Sequence, residues 1–259
     1  MRVIPIHAAN PSPMTGAGNW TYLIPGDRPV LIDAGDGRGE HLDAVAAAAP
    51  SGPAVVAVTH GHNDHASGAP AMAARWPAAE FRKWPWPGRD ARFAVAWQGI
   101  GPGEVIDTGE GPLVAVHTPG HAPDHVTFWH AATRTAFTGD LLVQGSTVVI
   151  LTSQGGRLVD YLASLERVRA LRPARLLPAH GPAIEEPERL IDEYVAHRRM
   201  REAQVLEALA DGLATVDAIV ARIYPGLQPA LVGMAGESVR AHLQKLADEG
   251  RAVPETPYT

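Results

Sequence analysis

The junction between AVVAV at 54–58 and THGHNDHASG at 59–68 limits the folds open to this chain more than any other stretch. An apolar run long enough for one buried strand ends in a Gly-containing loop, and ASGAPAMAARW can begin a helix immediately afterwards. Four side chains able to bind a metal, His60, His62, Asp64 and His65, occupy that turn. His60 and His62 alternate, so in an extended turn their rings point to one side. Asp64 and His65 fall where the chain curls and can face a second ion, unlike a helical H-E-x-x-H pair. The chain has no cysteine, so thiolate sites and disulfides are excluded and any ion must be held by nitrogen or oxygen.

The rest of the chain predicts a layered αβ fold around this turn. With 259 residues, 46% hydrophobic and 19% charged, it can bury a large core. No apolar run approaches the roughly 20 residues that span a bilayer, so no membrane partner is expected. Pro5 and His7 interrupt the stretch a signal peptide would need, and a cytoplasmic protein is expected. WTYLI and VLIDAG read as a hairpin, with further strands at 54–58, 104–108, 113–118, 125–130 and 134–139. Helices are expected over 41–49, 65–76 and 158–171. Residues 1–186 form the expected catalytic domain. From 187 to 259 the texture changes to three helices and a short extended piece, which suggests a small winged-helix-like helical domain. From Met200 onward five basic residues stand against eight acidic ones, which argues against DNA as a partner.

Three later fragments each place a polar residue at a strand's exit: His121 in TPGHAPDH, Asp140 in FTGD and His180 in LLPAHG. Scattered ligands in an αβ fold come from such positions. His125 reads as a strand-start histidine without metal contact. Trp84 and Trp86 in KWPWPG offer either an apolar wall for substrate or a loop packed on its own prolines. Asn19 and Tyr22 can reach the site from the first hairpin or simply pack there. His7, His41, His117, His130, His197 and His242 lie apart from the motifs and read as structural or solvent-facing.

H-x-H-x-D-H followed by separate His, Asp and His resembles the metallo-β-lactamase-fold hydrolase superfamily from about Asn10 to Gly181. NPSPMTGAGNWTYLI, RRMREAQVLEAL and VRAHLQKLADEGRA are also similar to the beta-lactamase-like protein 2 group, which carries a C-terminal winged-helix-like domain, so the resemblance spans nearly the whole chain. It implies a four-layered αββα sandwich, one metal at His60, His62 and His121, a second at Asp64, His65 and His180, and Asp140 bridging both. Zinc suits imidazole and carboxylate donors, two ions per chain, with iron and manganese as alternatives. The implied chemistry is hydrolysis by a metal-bridging hydroxide, with Asp64 and Asp140 as ligands and Asp140 also positioning the nucleophile. Asp33 in LIDAG then reads either as a partner to a ligand histidine or as a simple turn residue.

The same resemblance prunes functions. True β-lactamases of this fold generally lack a carboxylate equivalent to Asp140, and diiron flavoproteins normally carry Glu where His62 stands. The only lysines are Lys83 and Lys245, so the lysines that grip glutathione in glyoxalase II are hard to place. A small-molecule ester or thioester leads as substrate. The rivals are a phosphodiesterase acting on single-stranded RNA, which the acidic tail disfavours, and a non-catalytic metal-bound regulator, which the full ligand set disfavours. Oligomeric state is open.

Overall fold

Short strands, several of them buried on both faces, sort the chain into layers in the computed structural model, which describes residues 1–12 and 15–251. Among these residues the first sheet has six strands in sequence order: β1 (Ile4–His7), β2 (Trp20–Ile24), β3 (Val30–Ile32), β4 (Val55–Val58), β5 (Glu80–Lys83) and β6 (Trp97–Gly99). The first three are antiparallel, and β3 to β6 run parallel. Parallel neighbours need crossovers. These contain α1 (Gly39–Ala48), then α2 (Asn63–Ala66) with α3 (Ala69–Arg75), then α4 (Pro87–Asp90). The second sheet has the order β11-β10-β9-β8-β7, from β7 (Val105–Asp107), β8 (Pro112–His117), β9 (Val126–His130), β10 (Thr135–Gly139) and β11 (Arg175–Pro178). It is antiparallel except for β10 with β11, which α5 (Leu158–Ala170) connects.

Side-chain alternation explains the stacking. Val30, Ile32, Val55 and Ala57 meet Leu113, Val126, Phe128 and Phe137 of the other sheet, while Leu31, Val56 and Val58 point the opposite way onto Val45 of α1 and Met72 of α3. The outer face of the second sheet puts Trp129, Ala136 and Leu176 against Leu158, Tyr161 and Leu165 of α5 and against Leu190, Ile191 and Tyr194 of the next helix, α6 (Pro187–Ala210). The result is the expected αββα order. Each such side chain taken from water contributes roughly 1.5–3 kcal/mol.

The distal half of α6 joins a separate core. Val205 and Ala208 pack with Ile219 and Val220 of α7 (Val216–Ile223) and with Val239, Leu243 and Leu246 of α8 (Val232–Asp248). Thr215 caps α7 by accepting the Ala218 N–H at 3.2 Å. The extended piece expected after α8 falls mostly beyond Arg251, outside the described residues. Among those residues no helix is long and apolar enough to cross a membrane.

Two expectations are corrected. The helix anticipated over 65–76 is divided into α2 and α3, because Gly68 donates its N–H to Gly35 O at 3.0 Å and lies so close to residue 34 that a Cβ there would stand 2.1 Å from Ala34 O. The last helix begins at Val232, several residues earlier than SVRAHLQ suggested, since the intervening GMAG is poor in helix signals.

His41 and His242 are buried as structural residues. His41 Nε2 meets Thr21 Oγ1 at 2.8 Å, and His242 Nδ1 donates to Ser238 O at 2.7 Å. Burial pushes both down to about 4. The unfolded chain therefore takes up these protons first, so their contribution to stability is complete above about pH 6.5 and drains away as the pH falls toward 4. At about pH 5 each neutral ring costs the fold about 2 kcal/mol relative to neutral pH. Urea unfolding of His41→Gln should show that much less acid sensitivity than the natural chain; identical pH slopes would refute the assignment.

Candidate active site

The exit of β4 delivers the predicted turn as expected. His62 is extended (φ −71, ψ 155) and caps α2, so His60 and His62 precede the helical curl while Asp64 and His65 lie inside it. The second sheet supplies the other residues: His121 from the β8–β9 loop, Asp140 directly after β10 and His180 just after β11. The structure brings all seven together in two adjoining clusters that could hold metal ions. In the first, His62 Nδ1 lies 3.0 Å from His60 Nε2 and 2.9 Å from His121 Nε2. In the second, His65 Nε2 is 3.4 Å from both Asp64 Oδ2 and Asp140 Oδ1, and His180 Nε2 is 3.3 Å from the same two oxygens. The other oxygen of Asp140, Oδ2, faces the first cluster at 4.0 Å from His60 and 3.6 Å from His121. Donors bound tetrahedrally at about 2.0–2.1 Å stand about 3.3 Å apart, so the spacing of the second cluster fits such an ion closely.

Hydrogen bonds behind the rings decide where their lone pairs point. His121 Nδ1 donates to Val149 O at 3.0 Å, which leaves Nε2 bare in the neutral ring. His65 Nδ1 donates to Asp33 Oδ2 at 2.8 Å, so its Nε2 lone pair also faces the cluster. Asp33 is thus a partner to a site histidine rather than a simple turn residue. It sits at φ 64, and its other oxygen accepts the Thr59 N–H at 2.7 Å. Thr59 Oγ1 in turn lies 3.1 Å from His60 Nδ1. His65 Nε2 and Asp140 Oδ1 are buried without a hydrogen-bond partner. A lone pair converging with carboxylate oxygens is relieved only by a cation or a proton, and this donor set fits a metal.

The titration behaviour has the same cause. Burial and the neighbouring His65 and His62 hold His60 well below its ordinary value, and burial together with His121 lowers His62 to about 3. Burial also lowers His121. In the second cluster burial opposes the charge, but Asp64, Asp140 and Asp33 outweigh it and raise His65 well above normal. Asp140 likewise outweighs burial at His180, raised to about 10. Asp64 and Asp140 are depressed despite burial, through His65 first.

Other residues position the frame. Asn19 Nδ2 donates to Asp64 O at 2.7 Å, and the Tyr22 hydroxyl donates to Pro178 O at 2.6 Å, two residues before His180. His125 Nε2 accepts the Asp140 N–H at 3.2 Å. Lys83, which sequence reasoning left without a role, is buried and pairs with Asp124 at 2.7 Å and Asp90 at 2.6 Å, tying the end of β5 to the His121 loop. A lysine ending a short half-buried strand gave no signal of this.

A cleft of 690 Å³ opens over the clusters. Trp20, Val143, Val148 and Leu151 form an apolar wall, while Arg89 borders it and donates to Gly61 O at 2.7 Å. His7, expected to lie apart, also borders the cleft, because β1 runs beside β2. Trp84 and Trp86 do not line it; Trp84 stacks on His117 at 3.8 Å.

Comparison with known proteins agrees with this geometry. Residues 14–180 match the metallo-beta-lactamase superfamily, and residues 215–256 match the beta-lactamase associated winged helix domain. A beta-lactamase-like protein 2 homolog from Drosophila melanogaster is 31% identical over 96% of this chain and 89% of its own length. An atrochrysone carboxyl ACP thioesterase from Aspergillus fumigatus is 30% identical over 80% of this chain and 65% of its own. Among solved structures, a metallo-beta-lactamase family protein from Thermus thermophilus has a TM-score of 0.80 at 20% identity, covering 96% of this chain and 94% of that one. With its sandwich, its paired clusters and both sequence matches, the chain belongs to the metallo-beta-lactamase superfamily of hydrolases and carries that superfamily's associated winged helix domain at its C-terminal end.

Proposed function

We propose that the protein hydrolyses a small ester or thioester with two bound zinc ions, one held by His60, His62 and His121 and the other by Asp64, His65 and His180, with Asp140 shared between them. The observation that carries this reading is the division of the Asp140 carboxylate, whose Oδ2 faces the first cluster and whose Oδ1 faces the second. Imidazole and carboxylate suit zinc, and iron or manganese would accept the same donors. When bound, the ions supply a water acidified toward neutral pH and polarisation of the scissile carbonyl.

The chain's own residues do the rest. Asp33 and Val149 O orient the rings of His65 and His121, so neither lone pair must reorganise during turnover. Asn19 and His125 fix the backbone of Asp64 and Asp140. The wall of Trp20, Val143, Val148 and Leu151 suits an acyl chain, and the relative named as an acyl carrier protein thioesterase supports that substrate class. The segment from residue 187 onward serves this cleft rather than DNA.

After zinc loading, elemental analysis is expected to find close to two ions per chain, and the loaded protein should turn over an acyl thioester or ester. A single tightly bound ion would leave a mononuclear site. Cleavage of a labelled single-stranded RNA with no turnover of any thioester, ester or lactone would replace the proposed substrate class.

A further inference from the structure

The wall of the cleft between β10 and α5, residues 140–157, contains only one short 3-10 turn, at Thr152–Gln154. Several of its backbone groups are met by side chains from the C-terminal helices. On α6 the Tyr194 hydroxyl accepts the Val143 N–H at 3.0 Å and lies 2.8 Å from Val143 O and 3.0 Å from Ser146 O. One helical turn on, the buried Arg198 guanidinium donates to Val148 O and, at 3.3 Å, to Thr147 Oγ1. On α8, Glu237 accepts from Thr152 Oγ1 at 3.0 Å and from Ser153 N at 3.1 Å. The carbonyl following the one Arg198 holds is Val149 O, the acceptor of the His121 Nδ1–H.

We infer that Arg198 is a positioning residue of the metal site: by fixing the Val148–Val149 backbone it holds His121 with its Nε2 lone pair facing His62. The inference rests on the reading of His121 as a metal ligand. Its physical content is a relay of two hydrogen bonds, to the carbonyls of two consecutive peptide units that meet at the Val149 Cα. A charged donor is suited to the first because its bond to a carbonyl is stronger than a neutral one. His242 of α8 packs against the same turn of α6, with its Nε2 3.3 Å from Arg198 O. The C-terminal helices thereby reach the site without contributing a donor to either cluster.

The test uses the full-length chain loaded with cobalt(II), with absorption spectra and chelator competition as readouts independent of turnover. Arg198→Met, which keeps much of the buried volume, should weaken one ion about 10- to 100-fold and alter its spectrum, while the other ion is held as before. Arg198→Lys should recover part of that affinity. Val239→Ala, in the core of the C-terminal helices and away from the cleft wall, should lower the melting temperature and leave both affinities unchanged. A folded Arg198→Met chain with unaltered affinities and spectrum overturns the inference. Should that variant not fold, a folded Arg198→Lys chain with affinities and spectrum identical to the natural chain's overturns it equally. His121→Ala separates the two levels: if it keeps both ions at full affinity, the ligand reading fails and the inference with it, whereas loss in His121→Ala but not at position 198 defeats the inference alone.

Discussion

Asp140→Asn should lose at least one bound ion and about 10³-fold in kcat, equivalent to about 4 kcal/mol of barrier. The amide keeps the side chain's shape, and the backbone bond from Asp140 N to His125 remains available. It removes the charge, however, and replaces one of the two oxygens that face separate clusters with a donor that cannot ligate. His62→Ala should empty the first cluster more selectively, because Nδ1 of His62 is the atom on which both His60 and His121 converge. Circular dichroism of both variants should stay native, since the packed strands are apolar and separate from the donors. Metal content and single-turnover rates measured together check the prediction. Two retained ions with near-normal turnover in Asp140→Asn would show that the shared-carboxylate mechanism is wrong.

Gly120→Ala is expected to damage folding severely near the site, costing about 4 kcal/mol or more. Gly120 has φ +131, where a side chain is strained, and a Cβ would stand 2.2 Å from Tyr161 N and 2.3 Å from its Cα. The obstacle is the backbone of α5, which cannot rotate aside as a side chain would. Relief requires moving α5 or the loop bearing His121, and the Tyr161 hydroxyl also donates to Leu141 O at 2.7 Å. Denaturant unfolding of Gly120→Ala measures the cost. Gly145→Ala is the comparison, since nothing lies within 4 Å of a Cβ there and only the strain of its φ +78 remains. Equal losses at the two positions would contradict the steric account.

The parts of the site that were legible in the sequence are those where one local pattern carries both structure and chemistry. AVVAV followed by THGHNDH shows a strand, a turn and four donors in one stretch, and the structure places them so. His121, Asp140 and His180 were legible because each follows a readable strand. What escaped depends on tertiary neighbours. Thr59 looks like any strand-end threonine until Asp33 arrives from β3, and Arg198 looks like a surface residue of a charged helix until the cleft wall covers it. Lys83 gave no sign of its burial because one of the two carboxylates that pair with it, Asp124, comes from the other sheet's β8–β9 loop, and Asp90 meets it only through the fold of the short α4. The divided helix at Gly68 was hidden for the same reason, since the Ala34 backbone that crowds it belongs to another strand's exit.

Each donor cluster takes members from both sheets: His60, His62, Asp64 and His65 follow β4 of the first, while His121, Asp140 and His180 follow strands of the second. A divalent ion in either cluster is therefore also a cross-link between the halves of the sandwich, formed only once they are docked. Binding and docking become thermodynamically linked: a free ion at about 1,000 times its dissociation constant adds about 4 kcal/mol to the stability of the assembled state. Chelation then acts as a denaturant directed at the seam between the sheets, and amide exchange in β4 and β10 should quicken before exchange in the distal helices does.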